Sequence, residues 1–190
     1  MMRELYLAIR SGDAAQADAS VRALIKADPS LAIFAAAMQG DAARIEALLA
    51  ANRSLVSVTS PDGWTPLHLA AHFGREDAAR VLVNKGADVA ARSANTLANT
   101  PLHAAVAGRS VTVAKLLLDR GASANARQNG GWTPLHAAAQ NGDEELARTL
   151  IEGGADINVR AENQQTPLDL ALTRGHQAMV EFLESHGARL

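Results

Sequence analysis

The sequence contains no cysteine among its 190 residues. Disulfide bonds, thiolate metal sites and a cysteine nucleophile are therefore excluded, and thiol redox chemistry with them. The six histidines become the first side chains to consider for chemistry near neutral pH.

Long apolar runs are missing too. No stretch approaches the ~20 apolar residues that a membrane-spanning helix needs. The apolar segment at residues 5–9 is too short and too interrupted for a secretory signal. We expect no membrane association and a cytoplasmic location.

The linear sequence also lacks basic clusters. The formal net charge is −2, and the lysines and arginines are scattered, without interleaved aromatic residues. Surfaces that bind nucleic acid carry concentrated positive charge. We therefore expect no nucleic-acid partner.

Aromatic residues make up only 3% of a chain that is 48% hydrophobic. Stacked, alanine-faced helices need few large side chains, and a repeated tetrapeptide points to such a stack. Thr-Pro-Leu-His begins at residues 65, 100 and 133, and Thr-Pro-Leu-Asp begins at residue 166. The spacings of 35, 33 and 33 residues indicate repeated supersecondary units rather than one globular core.

Each tetrapeptide predicts a helix start, with Thr as the N-cap, Pro at the first helical position and His, or Asp169 in the last copy, at the third. In three copies a glycine follows nine residues after the Thr and another twelve residues later, so two short helices each end at a glycine. Apolar residues between the glycines fall at helical spacing, which indicates one buried face. Turn residues such as Asn129-Gly130-Gly131 predict a projecting, hairpin-like loop before the next Thr.

These residues resemble the ankyrin repeat family, because Thr-Pro-Leu-His-x-Ala, the inter-helix glycine and the Gly-Ala-Asp-Ile-Asn ending recur in register from residue 60 to residue 190. The resemblance implies an all-α repeat solenoid of about six helix pairs in a single domain, 1–190. Full repeats are expected at 65–99, 100–132 and 133–165. A C-terminal capping repeat is expected at 166–190.

Upstream the pattern weakens. Residues 31–40 align with 65–74 at an offset of 34 but lack Thr-Pro, so 31–64 is predicted to be a degenerate repeat. Residues 1–30 are predicted to form an N-terminal capping helix pair, and only Pro29 and Ser30 separate it from the next helix. The outer face of the last helix is polar, so we expect a monomer.

The repeated histidines His68, His103 and His136 could suggest a metal site. Equivalent residues of stacked units lie roughly 8 to 10 Å apart, whereas zinc ligands lie about 2 Å from the ion. We therefore expect each to hydrogen-bond the backbone at its own helix start and to link one loop to the next. The other three histidines lack a partner at catalytic spacing, and no phosphate-binding motif is present. The chain is predicted to be a non-enzyme without metal or cofactor.

The resemblance implies a non-catalytic protein–protein interaction module that binds through a concave face, formed by the loop tips and the exposed side of the first helices. The candidate partner-binding residues on this concave face are Asp62, Trp64, His72, Phe73, Leu97, Asn99, Trp132, Gln140, Asn141 and Gln165. Trp64 and Trp132 occupy the same position before Thr-Pro. They are either anchors for a partner or covers for the neighbouring loop, since Asn99 and Gln165 stand at the matching positions.

Two other functions stay open. Ankyrin-like proteins can be substrates of an asparaginyl hydroxylase at the Asn that closes the extended stretch, which the resemblance places at Asn125 and Asn158. A pocket beside Trp64, His72 and Phe73 would instead indicate small-molecule binding or an enzyme. The missing acid–base and nucleophile set argues against that alternative.

The unit that begins at Thr100 departs from the pattern twice. Its loop has two extra residues within 93–99, which either bias a partner's footprint toward the middle of the stack or are a tolerated insertion. Gly108-Arg109 stands where neighbouring units have glycine second. Because the left-handed conformation is unfavourable for Arg, we expect Gly108 to take the positive φ and the turn to shift by one residue.

Overall fold

The computed structural model describes residues 31–189, and this part of the chain is helical without a strand. Ten α-helices form five consecutive pairs, which confirms the all-α repeat solenoid. The first helices of the pairs are α1 (Ala32–Gln39), α3 (Pro66–His72), α5 (Pro101–Ala107), α7 (Pro134–Asn141) and α9 (Pro167–Arg174). The second helices are α2 (Ala42–Ala51), α4 (Glu76–Asn84), α6 (Val111–Asp119), α8 (Glu144–Glu152) and α10 (Gln177–Ser185). The capping pair predicted for residues 1–30 lies outside the described residues.

The Thr-Pro motifs begin four of the first helices, as predicted. In α3 the Thr65 hydroxyl accepts a hydrogen bond from the His68 backbone N–H at 3.4 Å, and His68 Nδ1 accepts one from the Thr65 backbone N–H at 3.3 Å. This capping box recurs in α5 and α7, and in α9 the carboxylate of Asp169 replaces the ring nitrogen. Backbone N–H groups that a helix start leaves without partners are thereby satisfied.

The helices pack in two layers around a continuous hydrophobic core. First helices pack against first helices, and each second helix packs on its own first helix and on its neighbours in the outer layer. Leu82, Leu117 and Leu150 of the second helices are fully buried, as their spacing predicts. The first helices bury small residues, including Ala70, Ala105 and Ala138, which lets their backbones approach closely. No helix within residues 31–189 has the length and apolar character that a bilayer crossing requires.

Four loops join the pairs: loop 1 (57–65), loop 2 (86–100), loop 3 (121–133) and loop 4 (154–166). One backbone hydrogen bond closes each loop at its base, at 2.8 to 3.0 Å, and the donor and acceptor residues are Ser60 and Trp64, Ser93 and Asn99, Gln128 and Trp132, Ala161 and Gln165. The loops are therefore hairpin-like turns without a regular strand ladder in the part of the chain that is described.

The first described unit is the degenerate one. The N-cap of α1 is Leu31, whose side chain makes no capping bond, which agrees with the missing Thr-Pro. Residues 31–38 are all buried, so packing holds α1 in place of a cap. Asp41 caps α2 through the Arg44 N–H at 2.9 Å. A short 3-10 helix, Arg53–Val56, then leads into loop 1.

The expectation for Gly108 and Arg109 is wrong. Gly108 has φ −83° and Arg109 has φ +56°, so the arginine takes the left-handed turn. The reason is a close approach: a Cβ on residue 108 would lie 1.9 Å from the carbonyl oxygen of His72. Residue 108 must be glycine to let α5 pack on α3, and the turn therefore falls on Arg109.

Candidate functional site

The three repeated histidines join each unit to the next. Each Nε2 lies 3.0 to 3.2 Å from a carbonyl oxygen of the following loop, and the pairs are His68 with Asn99, His103 with Trp132 and His136 with Gln165. Because Nδ1 accepts from the backbone N–H of the Thr N-cap, the proton of the neutral ring belongs on Nε2, which donates to the carbonyl. The predicted structural role of these histidines is thus what their geometry provides.

Burial keeps these imidazoles neutral. It lowers the pKa of all three, and the hydrogen bond to the next loop's carbonyl opposes the effect only in part. The pKa of His103 falls to about 4, with the charge of Arg92 adding to the effect of burial. No group of three His, Asp or Glu side chains within residues 31–189 is arranged to hold a metal ion.

Trp64, His72 and Phe73 form one aromatic patch where loop 1 meets the end of α3. The Trp64 ring centroid lies 6.0 Å from that of His68 and 5.3 Å from that of His72, and Phe73 meets His72 edge-on at 5.3 Å. Trp64 and Phe73 are partly buried against the core. The structure therefore brings these three candidates together, although Phe73 is less exposed than its sequence position suggests.

Trp132 repeats the arrangement two units on. Its ring stacks on His136 with the centroids 5.7 Å apart and the planes 29° apart, and the side chain is half-buried. Both tryptophans thus lie against a histidine that bridges two loops. Each has a role in the fold that does not depend on a partner.

The other candidates lie along the loop tips and the ends of the first helices. Asp62 is exposed at the tip of loop 1, and Leu97 is 49% exposed at the tip of loop 2. Gln140 and Asn141 at the end of α7 and Gln165 in loop 4 are half-buried.

Asn99 differs from the expected surface position, because only 5% of it is exposed. Its backbone N–H donates to Ser93 Oγ at 3.0 Å, and its carbonyl accepts from the Ser93 N–H at 2.8 Å and from His68. The residue closes the longer loop 2 from inside. Val106, which the repeat register also places on the concave face, is 0% exposed, and neither residue offers a surface to a partner.

Asn125 and Asn158 bridge adjacent units. The Asn125 amide donates to the Gly154 carbonyl at 2.8 Å and accepts from the Asp156 N–H at 2.7 Å. Asn158 makes the same pair of bonds to the Gly187 carbonyl and the Arg189 N–H. Both side chains therefore hold consecutive units together.

Two features of the surface escaped the sequence analysis. Arg92, Arg127 and Arg160 are exposed and occupy one repeated position, six residues after the glycine that ends each second helix. They lie 35 and 33 residues apart, so a search for basic runs misses them, whereas alignment of the repeats finds them. Leu172 is 46% exposed, whereas Ala71 and Ala139 at the matching positions are buried.

Comparison with known proteins supports this architecture. A family model described as "Ankyrin repeats (3 copies)" matches residues 5–93, 33–128, 90–161 and 125–190. The Neurogenic locus Notch protein of Drosophila melanogaster is 43% identical over 90 residues, which is 47% of this chain and 3% of that protein. Protein phosphatase 1 regulatory subunit 12A of Mus musculus is 41% identical over 58 residues, 30% of this chain and 6% of that protein.

The chain thus matches only a few per cent of the length of these relatives. The family matches, by contrast, together run from residue 5 to residue 190. Ankyrin repeats are generally protein–protein interaction modules. Together with the Thr-Pro capping boxes, the bridging histidines and the paired helices, these matches show that this chain belongs to the ankyrin repeat family.

Proposed function

We propose that this chain is a non-catalytic protein–protein interaction module that binds a partner protein through its concave face. Membership of the ankyrin repeat family supports the class of function. The observation that carries the assignment to this face is the way in which the loop tips are joined.

Backbone hydrogen bonds tie each loop tip to the next. The donor N–H and acceptor carbonyl lie 2.7 to 3.0 Å apart, and the pairs are Ala94 with Gly63, Asn129 with Leu97 and Glu162 with Gly130. Two side-chain amides add hydrogen bonds between the loop tips: Asn95 donates to the Asp62 carbonyl, and Asn129 donates to the Thr96 carbonyl. A surface held in this way loses little conformational entropy when it binds, which favours recognition of a folded or extended protein partner.

The loop tips also have side chains that take no part in the hydrogen bonds between the tips. Leu97 uses its backbone to hold loop 3, yet its side chain is 49% exposed. Beside it, a cleft of about 510 Å³ lies between loops 1 and 2, lined by residues 59–63 and 94–96. An exposed apolar side chain next to a cleft suits insertion of a partner's side chain into the cleft and contact with Leu97.

A photo-crosslinking amino acid in place of Leu97 tests this proposal. On irradiation in an extract of the native host, we expect covalent adducts with one or a few proteins, identified by mass spectrometry. The matched control carries the same amino acid in place of Lys115, which is exposed on α6 in the outer layer. Identical adducts from both positions, or adducts from position 115 alone, would contradict binding at the concave face.

The two alternative functions remain predictions. A hydroxylase acting on Asn125 or Asn158 must first break the bonds from that side chain to the next unit. The small-molecule alternative expects a pocket beside Trp64, His72 and Phe73. These three side chains pack on one another, and the cleft between loops 1 and 2 lies instead beside Asp62.

A further inference from the structure

Three arginines form a row along the stack. Arg92, Arg127 and Arg160 occupy the same position in loops 2, 3 and 4. Neighbouring units are separated by roughly 8 to 10 Å, the usual distance between packed helices. The loops are in direct contact, because Arg127 Nη1 donates to the Arg160 carbonyl at 3.0 Å. We call these three residues the arginine row.

The arginine row lies on the side of the first helices. Arg127 Nη1 also contacts the Gly131 carbonyl at 3.4 Å, directly before Trp132. The charge of Arg127 lowers the pKa of His136, at the start of α7, by less than the effects of burial and of the hydrogen bond to the Gln165 carbonyl. Arg92 acts in the same way on His103, at the start of α5. The guanidinium groups therefore border the concave face.

Within residues 31–189 no carboxylate forms an ion pair with the arginine row, although the charge of Arg160 contributes to the lowered pKa of Asp169. The ion pair in this part of the chain joins Arg80 to Glu76 on α4. The residues that directly follow the three arginines are uncharged: Ser93, Gln128 and Ala161. Arg127 and Arg160 use one nitrogen each, Nη1, for backbone carbonyls. Since a guanidinium carries five N–H donors, most of the donors of the row remain available to a ligand.

We propose that the arginine row binds an extended, acidic segment of a partner protein, with carboxylates three residues apart. This inference rests on the proposed function and specifies the chemistry of the partner. Each guanidinium pairs with one carboxylate, and Arg–carboxylate pairs favour the two-point geometry that gives both affinity and register.

The spacing supports an extended segment. A polyproline II chain rises about 3.1 Å per residue with three residues per turn, so side chains at i, i+3 and i+6 lie on one face about 9 Å apart. This matches the roughly 8 to 10 Å between units. An α-helix advances only about 1.5 Å per residue, so on a helix only carboxylates two turns apart, at i and i+7, come near this spacing.

The flanking charges favour a protein segment over a nucleic acid. Asp62 in loop 1 and Glu162 in loop 4 are exposed at tips near the two ends of the row. A strand with a phosphate at every nucleotide would pass these carboxylates and be repelled. A peptide can carry its acidic residues in the middle and neutral or basic residues at its ends.

Fluorescence anisotropy with synthetic peptides tests the proposal on the full chain. The probe is a labelled proline-rich peptide with Glu at every third position, three in total, and the comparison peptide has the same composition with the three Glu adjacent. We expect the spaced peptide to bind more tightly than the comparison peptide. In the triple variant Arg92→Gln, Arg127→Gln, Arg160→Gln, the affinity for the spaced peptide should fall by roughly 10-fold or more. Binding should also weaken with salt, which screens exposed charges.

The control variant Lys115→Gln removes a positive charge from the outer layer and should leave the Kd unchanged. A charge-reversed triple variant, with Glu at the three positions, separates binding from folding. It should lose the acidic peptide and bind the matching peptide with Lys in place of Glu, provided that circular dichroism shows the helical content of wild type.

Several results would overturn the proposal: equal affinity for both acidic peptides, no binding of either, or binding that survives the triple Arg→Gln change. Tighter, arginine-dependent binding of a single-stranded oligonucleotide would also overturn it, in favour of nucleic acid. If the Leu97 adducts form with proteins whose capture is insensitive to the triple variant, the acidic-segment proposal fails while the proposed function stands. If no adducts form at position 97, the proposed function itself fails.

Discussion

At the scale of single residues, Gly108 and Arg109 show how one close contact moves a turn. Four units of the described stack place a glycine at the positive-φ position after the first helix, and these glycines follow α1, α3, α7 and α9. The unit of α5 places Arg109 there, because the backbone of α3 occupies the space that a Cβ on residue 108 would need. The left-handed conformation of a non-glycine residue costs about 1 to 2 kcal/mol, and the packing of α5 on α3 offsets it.

We predict that Gly108→Ala destabilises the protein by about 2 kcal/mol or more. The new methyl group would meet the backbone carbonyl of His72, which cannot move without displacing α3. The free energy of unfolding from urea titration measures the effect. Gly153→Ala is the matched control, since Gly153 also has negative φ but its added Cβ would meet the flexible end of Leu118. Equal losses in the two variants would show that the contact with His72 is not the cause.

The sequence predicts the helix starts and the bridging histidines, because these depend on local patterns in a fixed register. It fails at residues 99 and 108, where contacts come from His68 and His72, which lie 31 and 36 positions earlier in the chain. Asn99 looks like a surface polar residue but is 5% exposed, because its backbone closes loop 2 and receives His68. The arginine row was missed for a related reason, since its members are neighbours only after the units stack.

At the scale of helices, the fourth capping box differs chemically from the other three. Asp169 accepts from both the backbone N–H and the hydroxyl of Thr166, each at 2.8 Å. The hydrogen bond from the Thr166 N–H is the largest cause of the lowered pKa of Asp169. The Asp169 carboxyl group therefore stays ionised, and keeps capping α9, at a pH low enough to protonate an ordinary carboxyl group.

We predict that Thr166→Ala destabilises the protein by about 1 kcal/mol, the usual effect of losing an N-cap hydroxyl. Thr173→Ala is the control in the same helix: its exposed hydroxyl bonds back to the Asp169 carbonyl, and its loss should change stability by less than about 0.5 kcal/mol. Amide hydrogen exchange should show faster exchange at Asp169 N–H in the first variant alone. Equal stability of both variants would mean that packing, not the cap, holds α9.

At the scale of the stack, three buried imidazoles make stability depend on pH. Their folded pKa values lie below the usual 6.5, and His103 reaches about 4. At a pH between about 4 and 6.5 the unfolded chain binds more protons than the folded one. The free energy of unfolding therefore falls as the pH drops through this range. At about 1.4 kcal/mol per pKa unit, His103 alone accounts for roughly 3 kcal/mol.

Urea titrations at intervals between pH 7 and pH 4 measure this loss, which we expect to be steepest below pH 6. The variant His103→Gln cannot titrate at this position, so its stability should fall less with pH even if it is less stable at pH 7. A slope equal to that of wild type would show that His103 does not carry the effect. Asp169 does not contribute in this window, because a lowered carboxyl pKa shifts stability only near and below its ordinary value of 3.8.

The hydrogen bonds that the three repeated histidines make to the next loop also have a direction along the chain. His68, His103 and His136 each point forward along the chain, to carbonyls 31, 29 and 29 residues further on, whereas the carbonyl beside His176 Nε2 belongs to Gln140, 36 residues back. On a ribosome, which makes about 5 to 20 residues per second, the acceptor of each repeated histidine is synthesised roughly 1.5 to 6 s after the histidine. The nascent stack therefore always has one unfinished unit at its leading edge, and each new unit locks the one before it.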